Sequence, residues 1–207
     1  MLFAQYFFRI EADISMKSKL ENVNQLTMGR VYYDIKIKKL VYNIHFPEKE
    51  VWVVKDSTVS TYKNNQLVKQ AKTLSLVQST LFHLALEGKL HDYGLSKSVY
   101  KITKVEKDGD LVISTYSPPE NYKSLGKVVL STKDKNLYGV VFFSADNKIL
   151  SKQIIKSYVT VSGLKFPSEI IQIYYKDNKE YYQVMTFKNV KVNNLQNENY
   201  YNYPLTK

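Results

Sequence analysis

Histidines are the first candidates for acid–base or metal chemistry, and the chain has three of them, His45, His83 and His91. Imidazole is the side chain that titrates near neutral pH and most often binds metals. His45 lies on the lysine-bearing face of a predicted strand, and His83 lies in a predicted helix. His91 is followed by Asp92, but a single neighbouring carboxylate does not make a catalytic arrangement. We therefore predict no catalytic or metal-binding histidine.

Carboxylates two residues apart share one face of a strand, and glycosidases use two carboxylates that face one bond. Such pairs include Glu11 with Asp13, Glu48 with Glu50, and Asp108 with Asp110. All lie among lysines or in predicted turns, where solvated ion pairing is the ordinary role. The chain has no cysteine and no nucleophile-elbow, His-Glu-x-x-His, Walker or Gly-x-Gly-x-x-Gly motif. The sequence predicts no enzyme, cofactor or metal centre.

The formal charge of +11 comes from 30 basic and 19 acidic residues. Such an excess is compatible with nucleic acid, an anionic membrane or an acidic partner. Arg9 and Arg30 are the only arginines in the sequence. Bidentate recognition of guanine or phosphate favours arginine over lysine. The lysines therefore indicate solvated strand faces, and we predict no nucleic-acid partner.

Alternation of apolar and polar residues predicts strands along most of the chain. In residues 6–17, every second residue from Phe8 to Met16 is apolar. In residues 39–46 the alternating apolar positions are Leu40, Tyr42, Ile44 and Phe46. Short turns rich in Asp and Asn separate the segments, which favours antiparallel neighbours. We predict a mainly β protein of the α+β class with about eleven strands.

One segment changes to helical spacing. Between residues 73 and 88 the apolar residues that recur with this period are Leu74, Val77, Leu81, Leu84 and Ala85. Thr73 or Ser75 is a candidate N-cap, and Gly88 is a candidate helix stop. The uncharged stretch at residues 73–86 is shorter than the ~18 residues that a membrane-spanning helix needs. We predict one principal helix and no transmembrane segment.

No linker or repeat divides the chain, so residues 1–207 are predicted to form a single domain. Residues 1–5 begin with an apolar run, as a signal peptide does, but the basic region of a complete signal peptide is missing. We therefore interpret them as a possible remnant of one. The polar, tyrosine-containing residues 193–207 are predicted to be a loosely held tail. The rich apolar inventory leaves two alternatives open, a filled core and a cavity for an apolar ligand.

The order of these motifs resembles the LolA-like family of periplasmic carriers for outer-membrane lipoproteins. The resemblance begins with the strand "FFRIEADISMKSK" and continues at Gly29 with "GRVYY", the basic turn "KIKK" and "LVYNIHFPEKEVWVVKDSTVSTYK". The apolar helix and the hairpin around "VEKDGDLVIS" follow in the same order. The match is good over residues 6–116 and looser beyond, where "GLKFPSEIIQIYY" is similar to later strands of the superfamily.

The resemblance implies an incomplete antiparallel β-barrel with helix across its open side and a cavity for lipoprotein acyl chains or another lipid. It also implies an exported, periplasmic protein, taken here as a monomer, with membrane-bound donor and acceptor proteins. On this basis the expected cavity lining is Phe8, Ile10, Ile14, Leu40, Tyr42, Ile44, Phe46, Leu81 and Leu84. Well-studied members hold the lid helix with an arginine in the turn before the third strand, where this chain offers Lys36, Lys38 and Lys39. The alternative function is a periplasmic sensor or scaffold domain with a filled interior and a protein partner.

Overall fold

The computed structural model describes residues 6–20, 23–72, 80–176 and 179–204. Thirteen strands in these residues form one sheet in the order β6-β5-β4-β3-β2-β1-β13-β12-β11-β10-β9-β8-β7, and all neighbours are antiparallel. The strands are β1 (Arg9–Leu20), β2 (Val23–Asp34), β3 (Lys39–Phe46), β4 (Glu50–Lys55), β5 (Thr58–Lys63), β6 (Gln66–Lys72), β7 (Lys101–Asp108), β8 (Leu111–Ser117), β9 (Val128–Lys133), β10 (Asn136–Phe143), β11 (Ile149–Val161), β12 (Leu164–Lys176) and β13 (Lys179–Val192).

The sheet is open, with β6 and β7 as its two edges. The chain between those edges carries helix α1 (Leu81–Leu86) and 3-10 helices at Leu90–Asp92 and Leu95–Lys97. A third 3-10 helix covers Glu120–Leu125, and α2 is Glu198–Tyr201. The predicted mainly β fold is confirmed as an incomplete antiparallel barrel with a helix. None of the helices in the described ranges has the length and apolar character needed to cross a membrane.

The face of the sheet that packs against α1 is called the interior face, and at its α1 end it forms a filled core. Phe82 of α1 lies 5.3 Å from Phe166 and 5.4 Å from Phe187, measured between ring centroids. Thr80 caps α1 by accepting a hydrogen bond from the His83 backbone N–H at 3.4 Å. Gly88 follows the helix with a φ of 67°, a value that suits glycine at a helix end. This end is closed by packing of apolar and aromatic side chains.

The opposite, outer face carries a second apolar cluster of Tyr32, Val41, Val53 and Tyr201. Residues 193–204, called the carboxy-terminal segment, cover this cluster. Tyr201 is 1% exposed, and its ring meets that of Tyr32 edge-on at 5.5 Å. We expected a loosely held tail, but this described part of it is packed. The reason is that its tyrosines pack against an apolar surface on the outer face of β2, β3 and β4.

Buried ionic groups tie the carboxy-terminal segment to the sheet. The Glu11 carboxylate is fully buried and accepts hydrogen bonds from Arg30 at 2.7 Å, Asn197 at 2.7 Å and Asn194 at 2.9 Å. Arg9 donates to Asp34 at 2.6 Å and also pairs with Glu198. Glu11 therefore makes specific buried contacts in place of the solvated ion pairs that the sequence predicted.

Two details differ from the sequence predictions. Thirteen strands are described against about eleven expected, because β6 lacks an apolar alternation signal and is exposed at every residue. β2 begins at Val23, six residues before Gly29, where the resemblance placed the start of this strand. The first part of the predicted helix, including Thr73 and Ser75, lies outside the described residues. Within them, α1 begins at Leu81.

Candidate functional site: the interior face of the sheet

Beyond the α1 end, the interior face is only half-buried. The side chains that point inward with part of their surface accessible are Met16, Tyr42, Trp52, Tyr93, Phe142 and Met185. The rings of Tyr42 and Trp52 are 6.1 Å apart, and those of Tyr93 and Phe142 are 5.6 Å apart. Aromatic rings and methionines offer large apolar contact surfaces, and methionine adapts easily to irregular shapes. The described interior therefore presents apolar surface that a ligand can reach.

Tyrosine hydroxyls from three elements face this interior. Burial raises the pKa of Tyr93 to about 12, and repulsion from Tyr174 adds to the rise while a hydrogen bond from Tyr93 to Gln153 opposes it. Burial also raises the pKa of Tyr42, again with a contribution from Tyr174. The hydroxyls of Tyr42 and Tyr93 both interact with Tyr174. The three elements that carry these tyrosines, which are β3, the segment that follows α1, and β12, therefore face one space. That space combines low polarity with a few hydrogen-bonding groups.

The predicted lining residues divide into three groups. Buried residues are Ile10, Ile14, Leu40, Ile44 and Leu84. Tyr42 and Leu81 are half-buried and pack against the core. Phe8 is half-buried at the amino-terminal end of β1, and Phe46 is 45% exposed at the end of β3. The structure thus brings most of the predicted set onto the interior face, with Phe8 and Phe46 at its margins.

The predicted lid-contacting lysines occupy three different environments. Lys38 is exposed, and its charge adds to the effect of burial in lowering the pKa of His83 in α1. Of the three lysines, Lys38 is therefore the one that acts on α1. The Lys36 Nζ lies 4.3 Å from the Phe8 ring centroid. The Lys39 Nζ donates to the backbone oxygen of Tyr203 at 3.2 Å on the outer side.

His83 connects α1 to the sheet. Its Nδ1 lies 2.6 Å from the Tyr33 hydroxyl, and its Nε2 lies 3.3 Å from a Glu87 carboxylate oxygen. Burial lowers the pKa of His83, which favours the neutral ring that accepts a hydrogen bond from Tyr33. His83 therefore has a structural role, holding α1 against the sheet. Among the described residues no group of three metal-ligating side chains was found.

Several interior residues escaped the sequence analysis. Tyr93 lies between the two 3-10 helices that follow α1, and its hydroxyl donates to Gln153 at 3.1 Å. Gln172 and Tyr174 follow the buried Ile170 at alternating positions of β12. Gln172 stands two residues after Ile170 on the same face of β12, so the period-two pattern was the signal that could have found it.

A cavity of about 450 Å³ also lies outside the core, at the α1 end. Its walls include Leu86, Leu90 and Leu164, and the exposed Lys135 and Lys165 stand at its rim. Two outer-face grooves of about 370 and 440 Å³ follow β1. The sequence predicted none of these three.

The fold is LolA-like, as comparison with solved structures shows. No protein-family model and no curated protein matches the chain. A LolA superfamily protein from Nitrosomonas europaea is 13% identical, with 96% of this chain and 91% of that chain covered and a TM-score of 0.59. A DUF1329 family protein from Desulfovibrio piger is 10% identical, with 95% and 90% covered and a TM-score of 0.66. A putative outer membrane lipoprotein-sorting protein domain from Vibrio parahaemolyticus is 11% identical, with 94% and 89% covered and a TM-score of 0.64.

Proposed function

We propose that this protein is a non-enzymatic carrier that binds acyl chains, of lipoproteins or of another lipid, on its interior face and passes them toward the outer membrane. The single observation that carries the proposal is the half-buried apolar interior of a LolA-like sheet. Single exposed apolar residues are ordinary in any folded protein, whereas a contiguous accessible apolar surface is typical of a ligand-binding site. The lipoprotein-sorting domain among the structural neighbours supports the same class of cargo.

In the proposed complex the acyl chain lies along the half-buried Met16, Met185 and Tyr42, and the buried Ile14 and Ile44 pack beneath them. Each buried CH₂ contributes about 0.8 kcal/mol, so burial of the acyl chain supplies the driving force for binding. Ile10, Leu40 and Leu84 form the closed end of the cavity, and Leu81 borders it. Phe46 stands at the open margin, where the chain would enter or leave, and Phe8 lies at the other margin, beyond the closed end.

Release requires a part of the wall that can move. Helix α1 has six residues, and its polar attachments run through Thr80 at its start and through His83 to Tyr33 and Glu87. Such a short helix is not stable alone and depends on its packing. We propose that α1 is the movable lid, with the basic turn of Lys36, Lys38 and Lys39 beside it. The carrier acts as an exported, periplasmic monomer between membrane-bound donor and acceptor proteins.

The test is to fill the interior and leave the outer face as a control. Met185→Trp puts a large ring on the interior face, whereas Val184→Trp makes a comparable change one residue away on the opposite face of β13. Binding of a fluorescent acyl-chain probe, competed by unlabelled lipid, is measured for both. We expect Met185→Trp to weaken probe binding at least tenfold and Val184→Trp to leave it unchanged.

The alternative of a sensor or scaffold domain makes the opposite prediction. The filled core at the α1 end is the observation in its favour, since it shows that part of the interior is already occupied. If the native protein neither copurifies with a lipid nor binds the probe in a competable way, the carrier proposal fails. Crosslinking would then be expected to recover a protein partner.

A further inference from the structure

The strand register places polar side chains in one continuous row across the interior face. Gln153 of β11 pairs with Gln172 of β12, which pairs with Gln183 of β13. Gln183 pairs with Ser18 of β1, and Ser18 pairs with Gln25 of β2. These five residues, called the polar belt, form one register row across five neighbouring strands, in which Gln172 is buried and Gln25 is exposed.

The rows on either side show that the polar belt faces inward. One row toward α1, the same five strands carry Ile155, Ile170, Met185, Met16 and Thr27. Ile155 and Ile170 are buried in the core, and both methionines pack against it. Because alternate residues of a strand share a face, the belt lies on that face too. One row further out, Ser151 pairs with Tyr174, and Tyr174 pairs with Tyr181.

Polar groups of the belt remain available to a ligand. The Gln153 carbonyl accepts a hydrogen bond from Tyr93, but no bond from its amide N–H₂ is found within the described ranges. Among the residues that the structure describes, neither the Gln183 side chain nor the Tyr42 hydroxyl has a hydrogen-bond partner. Gln183 and Tyr42 are half-buried, so both can be reached from the interior. Polar groups in a largely apolar space favour a ligand that satisfies them.

Among the described residues of these five strands, the three interior-facing rows, those of Ile155, Gln153 and Ser151, contain no Lys, Arg, Asp or Glu. A carboxylate or phosphate at this depth would lose hydration without gaining a counter-charge. An ester, amide or hydroxyl can instead exchange hydrogen bonds with glutamine, which both donates and accepts. The belt therefore fits an uncharged polar group.

We propose that the polar belt selects acyl ligands whose chain is joined to an uncharged hydrogen-bonding group, such as an ester or amide, over free fatty acids. The methionine row holds the first part of the chain, and the belt holds the linkage. This inference rests on the proposed function and deepens it, because it names the chemical class of the cargo.

The experiment compares two competitors of equal chain length, monodecanoylglycerol and decanoate, against one fluorescent acyl-chain probe. We expect the native protein to bind the neutral ester at least tenfold more tightly. Gln183→Met keeps the size of the side chain and removes its hydrogen bonds, so it should reduce this preference about 3- to 10-fold, the value of one neutral hydrogen bond. Gln153→Met is a second variant of the same design.

Gln70→Met is the matched control, since Gln70 is exposed on β6 and its amide donates to Ser60 at 3.1 Å. Gln70→Met should leave the binding of both competitors unchanged. Equal binding of the two competitors by the native protein would overturn the belt proposal, as would an unchanged preference in both belt variants. Probe binding reports separately on the carrier function, so a protein that binds the probe without preference refutes the belt alone. Loss of all probe binding by the native protein refutes both.

Discussion

Replacing Glu11 by Gln tests how the carboxy-terminal segment is held. Glu11 is 0% exposed, and its carboxylate accepts hydrogen bonds from Arg30, Asn194 and Asn197. Gln retains the size of the side chain but replaces one oxygen with an N–H₂ group. That group would face the N–H₂ of an asparagine or the Arg30 guanidinium, both of which are donors. The substitution therefore breaks an ion pair and places donor against donor.

The magnitude follows from burial. Removing one partner of a buried ion pair costs about 3–5 kcal/mol. The cost should be smaller here, because the Arg30 side chain is 26% exposed and keeps a second partner, Asp13, at 2.7 Å. We expect Glu11→Gln to lower the free energy of unfolding by about 2–3 kcal/mol. The matched change Glu106→Gln affects an exposed pair with Lys104 and should cost less than about 1 kcal/mol.

Urea denaturation of both variants at several pH values measures the effect. Burial would raise the pKa of Glu11, but the hydrogen bonds from Asn197, Asn194 and Arg30 outweigh it and lower the pKa below its ordinary value of 4.5. The unfolded chain then binds more protons than the folded one at acid pH, so this stabilisation is present above 4.5 and declines as the pH falls below it. The difference in the free energy of unfolding between the native protein and Glu11→Gln should decline over the same pH range. A loss under about 0.5 kcal/mol at neutral pH would refute the role assigned to Glu11.

Three further substitutions and one titration follow from the packing. Tyr201→Ala removes a buried ring and should lower the free energy of unfolding by about 3 kcal/mol in urea, with faster proteolysis of the carboxy-terminal segment. Tyr33→Phe deletes the hydroxyl beside His83 and should lower the melting temperature through a loss of about 1–2 kcal/mol. NMR titration of His83 should give a midpoint below 6.5, because burial lowers its pKa. Gly126→Ala meets the Phe143 backbone oxygen at 2.0 Å with φ at 70°, and should cost more than about 2 kcal/mol by denaturation.

Local periodicity was enough to find the strands that build the interior face. Leu40, Tyr42 and Ile44 are spaced two residues apart in one strand, so their spacing alone predicts that they share a face. The change to helical spacing likewise located α1, and Gly88 marked its end. The order of these elements also led to the LolA-like fold, since element order survives where individual residues do not.

Periodicity does not say which face is covered or which residues meet across strands. Glu11 occupies a polar position of β1 that looked solvent-exposed, yet it is buried because residues from the far end of the chain lie over it. Tyr93 could not be placed at all, since its partner Gln153 is 60 residues away.

The polar belt shows where the sequence stops being informative. Gln153, Gln172 and Gln183 are scattered over three strands, and Ser18 lies at the other end of the chain. Their row exists only because the register of five strands aligns them, and register depends on turns, bulges and side-chain packing throughout the sheet. The sequence by itself determined the strands, the helix and the class of fold. The tertiary structure decided which polar residues lie inside, because that depends on contacts between distant segments.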